Sequence, residues 1–383
     1  MKRIVVFLLA VSFLFIPVAA EATEIAAAGP VFPNAKRSLI SLEVEADILS
    51  VDAHGDFTID LTTEEFRKAG FSPGDLVSVA ISDKFFEVLV SHLYCLIPAD
   101  ELYIYMGEDD ENIKLEGCMV FAITKAGIAE REYEDGKTIW RLNPGEHIDK
   151  LTITLIEKAY DPVIAGAPDL YRSLNRSDYS SDTVYANFRA VRLGDIAPDT
   201  LYRSCSPIDN YLNRSEVADQ LAKTSGIQTF LNLSESDKSL SGNIDRYGNL
   251  CPYYCGKTII NDWFAQDFTD PIEMEKLGSV LTDLSEMPTP WLIHCSEGKD
   301  RTGFVCVLLE MLLNAGREEI ETDYTLSFIN YFHLEDQPEL CAAIGARMVG
   351  GMMKQIGKPR EYLTACGMKE DTINLLISKL SAS

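Results

Sequence analysis

The spacing of hydrophobic residues changes near residue 160, which divides the sequence into two kinds of predicted structure. Before that point, short segments such as Leu76–Ile81 and residues 86–90 alternate between apolar and polar positions, with turn-forming residues between them. Alternation with a period of two is typical of strands that bury one face. Residues 31–160 are therefore predicted to form a smaller β-rich N-terminal domain, with one short helix near Phe66.

Beyond residue 186, short apolar runs alternate with longer amphipathic or apolar segments. This alternation is typical of an α/β fold, in which helices flank a central sheet. Residues 186–383 are predicted to form such a domain. Residues 161–185, which are rich in Pro, Gly, Ser and Asp, are predicted to be a linker. The predicted strands cover 229–233 and 290–294, and the predicted helices cover 271–287, 301–315, 317–332, 337–355 and 369–381.

The first twenty residues have the pattern of a secretory signal peptide. Lys2 and Arg3 precede an apolar stretch, and small residues follow at 18–22. We predict cleavage of residues 1–20 and export to the periplasm or the extracellular space. A retained membrane anchor is the alternative, but the run is short for a spanning helix and contains Pro17. No stable membrane insertion is expected after cleavage.

The charge of the chain bears on its partners, and its cysteine content bears on disulfides. The chain has 34 Lys and Arg residues against 59 Asp and Glu residues, a net charge of −25. An acidic field of this size repels nucleic acid, so we expect no nucleic-acid partner. The nine cysteines allow disulfides between Cys251 and Cys255 and between Cys95 and Cys118, but the sequence favours neither. No metal site is predicted, because the five His residues are scattered.

The segment from His294 to Gly303, His-Cys-Ser-Glu-Gly-Lys-Asp-Arg-Thr-Gly, lies between a predicted strand and a predicted helix. A turn there, eased by Gly298, would aim backbone N–H groups and a helix N-terminus at one point, which makes an anion site. The same field favours the thiolate of Cys295, a nucleophile. Arg301, six positions later, can hold two oxygens of a phosphate. The alternative is a buried structural Cys and an Arg that caps a helix.

This segment resembles the signature loop of the cysteine-dependent protein tyrosine phosphatase superfamily, His-Cys-x5-Arg-Ser/Thr. Its Gly-Lys-Asp-Arg-Thr-Gly variant is most similar to a bacterial branch of tyrosine and dual-specificity phosphatases. Asn187-Phe-Arg189, Leu201–Ser204 and the strand before Leu233 extend the resemblance, which covers about residues 186–381. The chain departs from the family at Asn232-Leu-Ser234, where the family usually has Asp-Leu-Arg. This departure puts the wider substrate surface in doubt.

The resemblance implies a secreted hydrolase that acts on phosphorylated proteins or small phosphomonoesters through a phosphocysteine, without metal or cofactor. Cys295 would be the nucleophile and Arg301 would bind the reacting phosphate. Thr302 would donate a hydrogen bond to the sulfur, and His294 would support the loop or bias the pKa of the cysteine. The residues expected around the phosphate are Ser296, Glu297, Gly298, Lys299, Asp300 and Arg301.

The general acid, which must protonate the leaving oxygen, has several candidates. Asp262 lies 33 residues before the cysteine, after a predicted strand, as in the acid loop of small dual-specificity phosphatases. Asp267 and Asp270 precede the helix at Pro271 and suit helix capping instead. Asp300, inside the loop, is a further candidate, because the Lys-Asp branch of the family offers that carboxylate for catalysis.

Several alternatives remain open at this stage. Lys299 either contacts a second phosphate or is a solvated side chain, and Glu297 is expected to face away from the anion. An inositol polyphosphate (phytate) or phosphoinositide phosphatase is the alternative function. A catalytically silent phosphate-binding module is a further alternative function. It is disfavoured because Cys295, Arg301 and Thr302 are all present. The β-rich N-terminal domain is expected to have a structural or targeting role.

Overall fold

A closed barrel and an open, mostly parallel sheet dominate the structure, a computed structural model that describes residues 42–52, 54–134 and 137–381. The predicted signal peptide, residues 1–20, lies outside these residues. The barrel strands, in chain order, are β1 (Glu43–Val51), β2 (Phe57–Thr62), β3 (Leu76–Ile81), β4 (Lys84–Ser91), β5 (Leu102–Tyr105), β6 (Asn112–Gly117) and β9 (Lys150–Glu157). The two strands between β6 and β9 in the chain, β7 (Ala129–Glu134) and β8 (Lys137–Leu142), form a separate hairpin.

The barrel follows from the alternation in its strands. In β3, Val77, Val79 and Ile81 are buried while the residues between them are partly exposed, so one face of the strand fills the interior. The strand order around the barrel is β1-β2-β6-β5-β4-β3-β9, and every neighbouring pair is antiparallel except β4 with β5. A parallel pair cannot be joined by a tight hairpin. Residues 92–101 therefore form a long connection.

The second sheet places the predicted loop at its centre. Its strands are β10 (Arg189–Ala190), β11 (Leu201–Ser204), β12 (Thr229–Asn232), β13 (Thr258–Asn261) and β14 (Trp291–His294), in the order β10-β11-β14-β12-β13. The last four strands are parallel, so their carboxyl ends share one edge. Strand β14 has neighbours on both sides and apolar cores on both faces, which explains its unbroken apolar sequence.

Helices pack against the barrel and on both faces of the parallel sheet. They are α1 (Thr63–Lys68), α2 (Ala122–Lys125), α3 (Pro162–Gly166), α4 (Asp182–Tyr185), α5 (Ser215–Thr224), α6 (Asp237–Tyr247), α7 (Pro252–Cys255), α8 (Pro271–Glu286), α9 (Asp300–Leu312), α10 (Arg317–Phe332), α11 (Pro338–Ile356), α12 (Pro359–Ala365) and α13 (Glu370–Leu380).

The five long helices predicted after residue 270 agree with α8, α9, α10, α11 and α13 to within about three residues. Helix α6 was not predicted, because only Leu240 along it is buried and its polar residues hide the helical period. Ser236 starts it by accepting a hydrogen bond from the N–H of Ser239. Helix α5 was not predicted either, although Ala218 and Ala222 on it are fully buried.

The barrel packs directly against α11. Arg347 donates a hydrogen bond to the carbonyl of Leu96 at 2.7 Å, and Lys354 forms an ion pair with Asp100 at 2.5 Å. One apolar core contains residues of the 92–101 connection together with α8, α9 and α11. A separate N-terminal domain is therefore not confirmed: the barrel has an apolar core of its own, but its 92–101 connection is buried in the core of the second sheet.

All nine cysteines lie in the described part of the chain and are free thiols. Neither Cys251 with Cys255 nor Cys95 with Cys118 forms a disulfide. Cys118 instead donates through its thiol to the carbonyls of Tyr94 and Ile97. Within the described residues, no helix combines the length and apolar character that crossing a bilayer requires.

Candidate active site

The loop that carries Cys295 connects the central strand β14 to the N-terminus of α9. Cys295 is the first residue after the strand and is only 3% exposed. Helix α9 starts at Asp300, so its unpaired N–H groups and the positive end of its dipole lie at the loop. The predicted strand–turn–helix arrangement is therefore present, and it places the N-terminus of the helix next to the loop that carries the sulfur.

Gly298 gives the loop its curvature. Its φ is +67°, and a Cβ atom at this position would lie 2.0 Å from the carbonyl oxygen of Ser204. Only glycine fits both constraints. The N–H of Gly298 donates a hydrogen bond to Sγ of Cys295 at 3.2 Å. The loop thus already directs one backbone donor at the sulfur.

The loop carbonyls are held on its outer side by residues far away in the sequence. Asn187 donates from Nδ2 to the carbonyls of Glu297 and Gly298, both at 3.2 Å. The hydroxyl of Tyr331 also donates to the Glu297 carbonyl, at 2.7 Å. The N–H of Ser206 donates to the Ser296 carbonyl at 3.2 Å. Because the carbonyls are occupied outside, the N–H groups can face the anion.

Arg203 continues this support from beneath the loop. It is fully buried in β11 and donates from Nη2 to the carbonyls of Gly298 and Lys299, at 3.0 and 3.2 Å. Its Nη1 pairs with Asp323 at 2.6 Å, and Arg189 binds the same carboxylate at 2.7 Å. Burial opposes ionisation, but the two guanidinium groups outweigh it and lower the pKa of Asp323 to about 2.

These supporting residues were not assigned roles from the sequence. Asn187, Arg189 and Arg203 stand in the segments that carry the family resemblance, while Tyr331 and Asp323 come from α10. An arginine inside a buried strand is the one signal that could have pointed to such a network, since buried charges require partners.

Arg301 lies in the first turn of α9. Its Nη1 donates to the carbonyl of Leu233 at 3.3 Å, and the residue is only partly buried. Leu233 follows β12, the strand next to β14, so this contact holds the guanidinium at the carboxyl edge of the sheet. Most of its five donors remain available for a phosphate.

Thr302 and His294 are both fully buried. Thr302 directly follows Arg301 in α9. In the described part of the chain, its Oγ1 atom has no hydrogen-bond partner. Nε2 of His294 lies 3.2 Å from the hydroxyl of Tyr254. Burial lowers the pKa of His294 to about 3; a backbone hydrogen bond at Cys295 acts in the opposite direction, and Arg301 lowers it further. His294 is therefore neutral and supplies no charge to the cysteine.

Lys299 is buried, so it is not the solvated side chain that the sequence offered as one alternative. It is 4% exposed, and its Nζ lies 5.3 Å from the ring centre of Tyr94, 5.0 Å from that of Phe328 and 5.3 Å from that of Phe332. The ammonium pairs with Glu297 at 2.9 Å. Cation–π contacts and the carboxylate hold the ammonium group inside the protein.

The carboxylate of Glu297 is mostly buried and is held by two cations. It forms ion pairs with Lys299 and with Arg172, which lies in the segment between the two sheets. Burial acts against ionisation, yet Lys299 and Arg172 lower the pKa of Glu297 to about 2. The segment predicted as a linker thus contributes a contact to the loop.

The acids before α8 have different environments. Asp270 is the N-cap of that helix and accepts from the N–H groups of Ile272 and Glu273, at 2.9 and 3.2 Å. Asp267 accepts from the N–H and hydroxyl of Thr269, at 3.1 and 2.6 Å. Both carboxylates are thus engaged in local turns, and the cap of α8 is Asp270 rather than Asp267.

Asp262 directly follows β13. Its Oδ1 accepts from the N–H of Trp263 at 2.8 Å, and Nζ of Lys276 lies 4.0 Å away. Burial raises its pKa, while Lys276 acts in the opposite direction. Strand β12 separates β13 from β14, so the backbones that carry Asp262 and Cys295 are two strand spacings apart, about 10 Å.

Asp300 is the first residue of α9. Its Oδ1 accepts from the hydroxyl of Tyr94 at 2.9 Å and from that of Tyr324 at 3.4 Å. Its Oδ2 lies 3.8 Å from Nζ of Lys299. This carboxylate is engaged on the outer side of the loop, whereas that of Asp262 bonds only its neighbour's N–H and lies near one ammonium.

One protein family model matches part of the chain. Residues 264–382 match the family model described as "Tyrosine phosphatase family". This range contains β14, the loop and α9 to α13. The match and the arrangement of Cys295 and Arg301 support a phosphoric monoester hydrolase, and over this range the chain is similar to the tyrosine phosphatase family.

Two solved structures are similar to parts of the chain. One, the core catalytic domain of the PP-IP phosphatase SIW14 from S. cerevisiae, solved with citrate, is 17% identical over 45% of this chain and 97% of its own, with a TM-score of 0.25. The other, an uncharacterized conserved protein from Thermotoga maritima, is 16% identical over 34% of this chain, with a TM-score of 0.23. The matched part spans only 40% of the Thermotoga protein. No curated protein matches the chain.

Proposed function

We propose that this protein is a secreted protein phosphatase, with tyrosine or dual specificity, that works through a phosphocysteine at Cys295. The observation that carries the proposal is the polarity of the loop. Its carbonyls are bound on the outer side by Asn187, Arg203 and Tyr331, while the N–H of Gly298 points at the sulfur. Such an arrangement suits the developing negative charge of a phosphoryl transfer.

In the first step, the thiolate of Cys295 attacks phosphorus in line and the bond from phosphorus to the ester oxygen breaks. Loop N–H groups and the guanidinium of Arg301 stabilise the equatorial oxygens. The carboxyl group of Asp262 gives its proton to the leaving oxygen. Burial raises the pKa of Asp262, which favours the protonated form needed for this step.

In the second step, a water attacks the phosphocysteine and passes a proton to the Asp262 carboxylate. The phosphorus–sulfur bond breaks, which releases inorganic phosphate and restores the thiolate. The buried hydroxyl of Thr302 would donate a hydrogen bond to the departing sulfur. Asp300 is the alternative proton donor, because it also lies next to Arg301.

Mutation of the nucleophile and of the phosphate ligand tests this mechanism. Cys295→Ser should abolish hydrolysis of an aryl phosphate while the protein still binds phosphate. Arg301→Lys should reduce kcat/KM by more than about tenfold, because an ammonium cannot bind two oxygens side by side. Full activity in Cys295→Ser, or a smaller loss in Arg301→Lys, would contradict the proposed roles.

The preference for a phosphoprotein over an inositol polyphosphate rests on Lys299. It is the only cation within the loop besides Arg301, and it is buried among aromatic rings. A polyphosphate substrate would need further exposed cations near the reacting group. A comparison of kcat/KM for phosphotyrosine peptides and for phytate checks this preference, and a higher value for phytate would reverse it.

Export is proposed from the sequence of residues 1–20 alone. Fusion of this segment to a reporter that is active only outside the cytoplasm tests it. Reporter activity is expected with the native segment and not when Lys2 and Arg3 are replaced together with a charged residue inserted in the apolar stretch. Equal activity in both fusions would count against a signal peptide.

A further inference from the structure

The connection between β4 and β5 brings a barrel residue to the phosphate loop. Tyr94, in the turn Tyr94–Leu96, donates from its hydroxyl to Oδ1 of Asp300 at 2.9 Å. Its ring also lies 5.3 Å from Nζ of Lys299. One barrel side chain thus contacts two consecutive residues of the loop, immediately before Arg301.

The turn itself is fixed in place by α11. Cys95, Leu96 and Ile97 are buried in the shared core, and Arg347 donates to the Leu96 carbonyl at 2.7 Å. The helix approaches so closely that a Cβ on Gly351 would lie 2.4 Å from the backbone nitrogen of Ala99. Tyr94 therefore projects from a rigid support and not from a free loop.

Tyr94 is a hydrogen-bond donor across the working pH range. Burial and the neighbouring Asp300 raise its pKa well above the ordinary value, so the phenol keeps its proton. Asp300 and Lys299 both contact Tyr94. These two residues lie between Gly298 and Arg301, in the segment that carries the loop N–H groups and the guanidinium.

From these contacts we infer that Tyr94 is a positioning residue for the phosphate loop, so the barrel is a working part of the active site and more than a structural or targeting unit. Tyr94 acts through Asp300 and does not touch the substrate. The inference rests on the proposed phosphatase function for its consequence in turnover. It also makes a claim about oxyanion binding that is independent of turnover.

A double-mutant cycle tests the inference. Tyr94→Phe removes the hydroxyl and keeps the ring over Lys299, and Asp300→Ala removes the acceptor. Two quantities are measured for both single variants, the double variant and the parent protein: kcat/KM on an aryl phosphate, and the affinity for tungstate, a tetrahedral oxyanion. Tyr94→Phe should weaken each by about tenfold in the parent background and by less than about twofold in the Asp300→Ala background.

Tyr105→Phe is the matched control, because Tyr105 belongs to the same barrel and forms no described hydrogen bond to the loop. It should leave both quantities unchanged. Equal losses from Tyr94→Phe in both backgrounds, or no loss in either, would overturn the inference. Thermal melting of each variant distinguishes a shifted loop from a general loss of folding.

The tungstate measurement separates this inference from the proposed function. If the parent protein binds tungstate with the expected coupling between Tyr94 and Asp300 but hydrolyses no phosphomonoester, the proposed function fails and the positioning role stands. If the parent hydrolyses the ester and the two variants are independent in both quantities, the positioning role fails alone.

Discussion

At the scale of the residue, the site depends on a few positions where only one side chain fits. Gly298 combines a positive φ with a carbonyl oxygen 2.0 Å from the place of a Cβ. The contact is with backbone of β11, which cannot rotate away. The loop can adopt this conformation only because residue 298 has no side chain.

Gly298→Ala should accordingly remove most activity, because the loop must move off Ser204 and its N–H loses its aim at Cys295. We expect a decrease in kcat/KM of more than about a hundredfold. Gly226→Ala is a useful control, since Gly226 also has a positive φ but no atom within 4 Å of its Cβ position. That variant should lose some stability and keep its activity. Comparable activity losses in both would show that backbone strain alone explains the effect.

The identity of the proton donor is also a question about single residues. A general acid must be protonated, so activity falls as the pH rises through its pKa. Burial raises the pKa of Asp262, which moves this fall to a higher pH than an ordinary aspartate would give. Asp262→Asn should flatten the alkaline limb of the pH–rate profile and impair alkyl phosphates more than activated aryl phosphates. If Asp300→Asn flattens that limb instead, the proton comes from within the loop.

At the scale of the element, strand β11 and helix α10 together hold the loop from below. Arg203 links the loop carbonyls to Asp323, and Arg189 completes the buried ion network. The carboxylate lies between two guanidinium groups in a buried site. Removing its charge takes away the carboxylate that both guanidinium groups bind.

Asp323→Asn should therefore lower the free energy of unfolding by about 3–5 kcal/mol, the usual cost of breaking a buried ion pair. Urea denaturation with an unchanged m-value checks this. The exposed pair of Arg192 and Asp199 offers a control, since Asp199→Asn should barely change stability. If Asp323→Asn lowers the free energy of unfolding no more than Asp199→Asn does, the supporting role of the buried network is contradicted.

The elements themselves show what the sequence could predict. The helix at Arg317–Phe332 was predicted with its bounds, and β14 and α9 to within a few residues, because apolar periodicity and turn residues are local signals. Cys295, Gly298 and Arg301 were identified for the same reason. Contacts that join distant segments, such as Asn187 with the loop, have no such signal.

At the scale of the whole molecule, the barrel keeps an apolar core of its own, but the connection between β4 and β5 is buried in the core of the parallel sheet. The sequence predicted a separate domain, since the change of period at residue 160 says nothing about packing. It also left Lys299 between a second phosphate and solvent. The aromatic rings around Lys299 come from the connection between β4 and β5 and from α10. No local sequence pattern predicts that these two segments lie side by side.

The most direct test of the central claim is to trap the covalent intermediate. The mature protein would be mixed with an aryl phosphate, quenched in acid within milliseconds, and its peptides analysed by mass spectrometry. We predict one added phosphoryl group on the peptide that contains Cys295, and none in Cys295→Ser. Rapid turnover with no phosphorylated cysteine, or with the phosphate on another residue, would contradict the account.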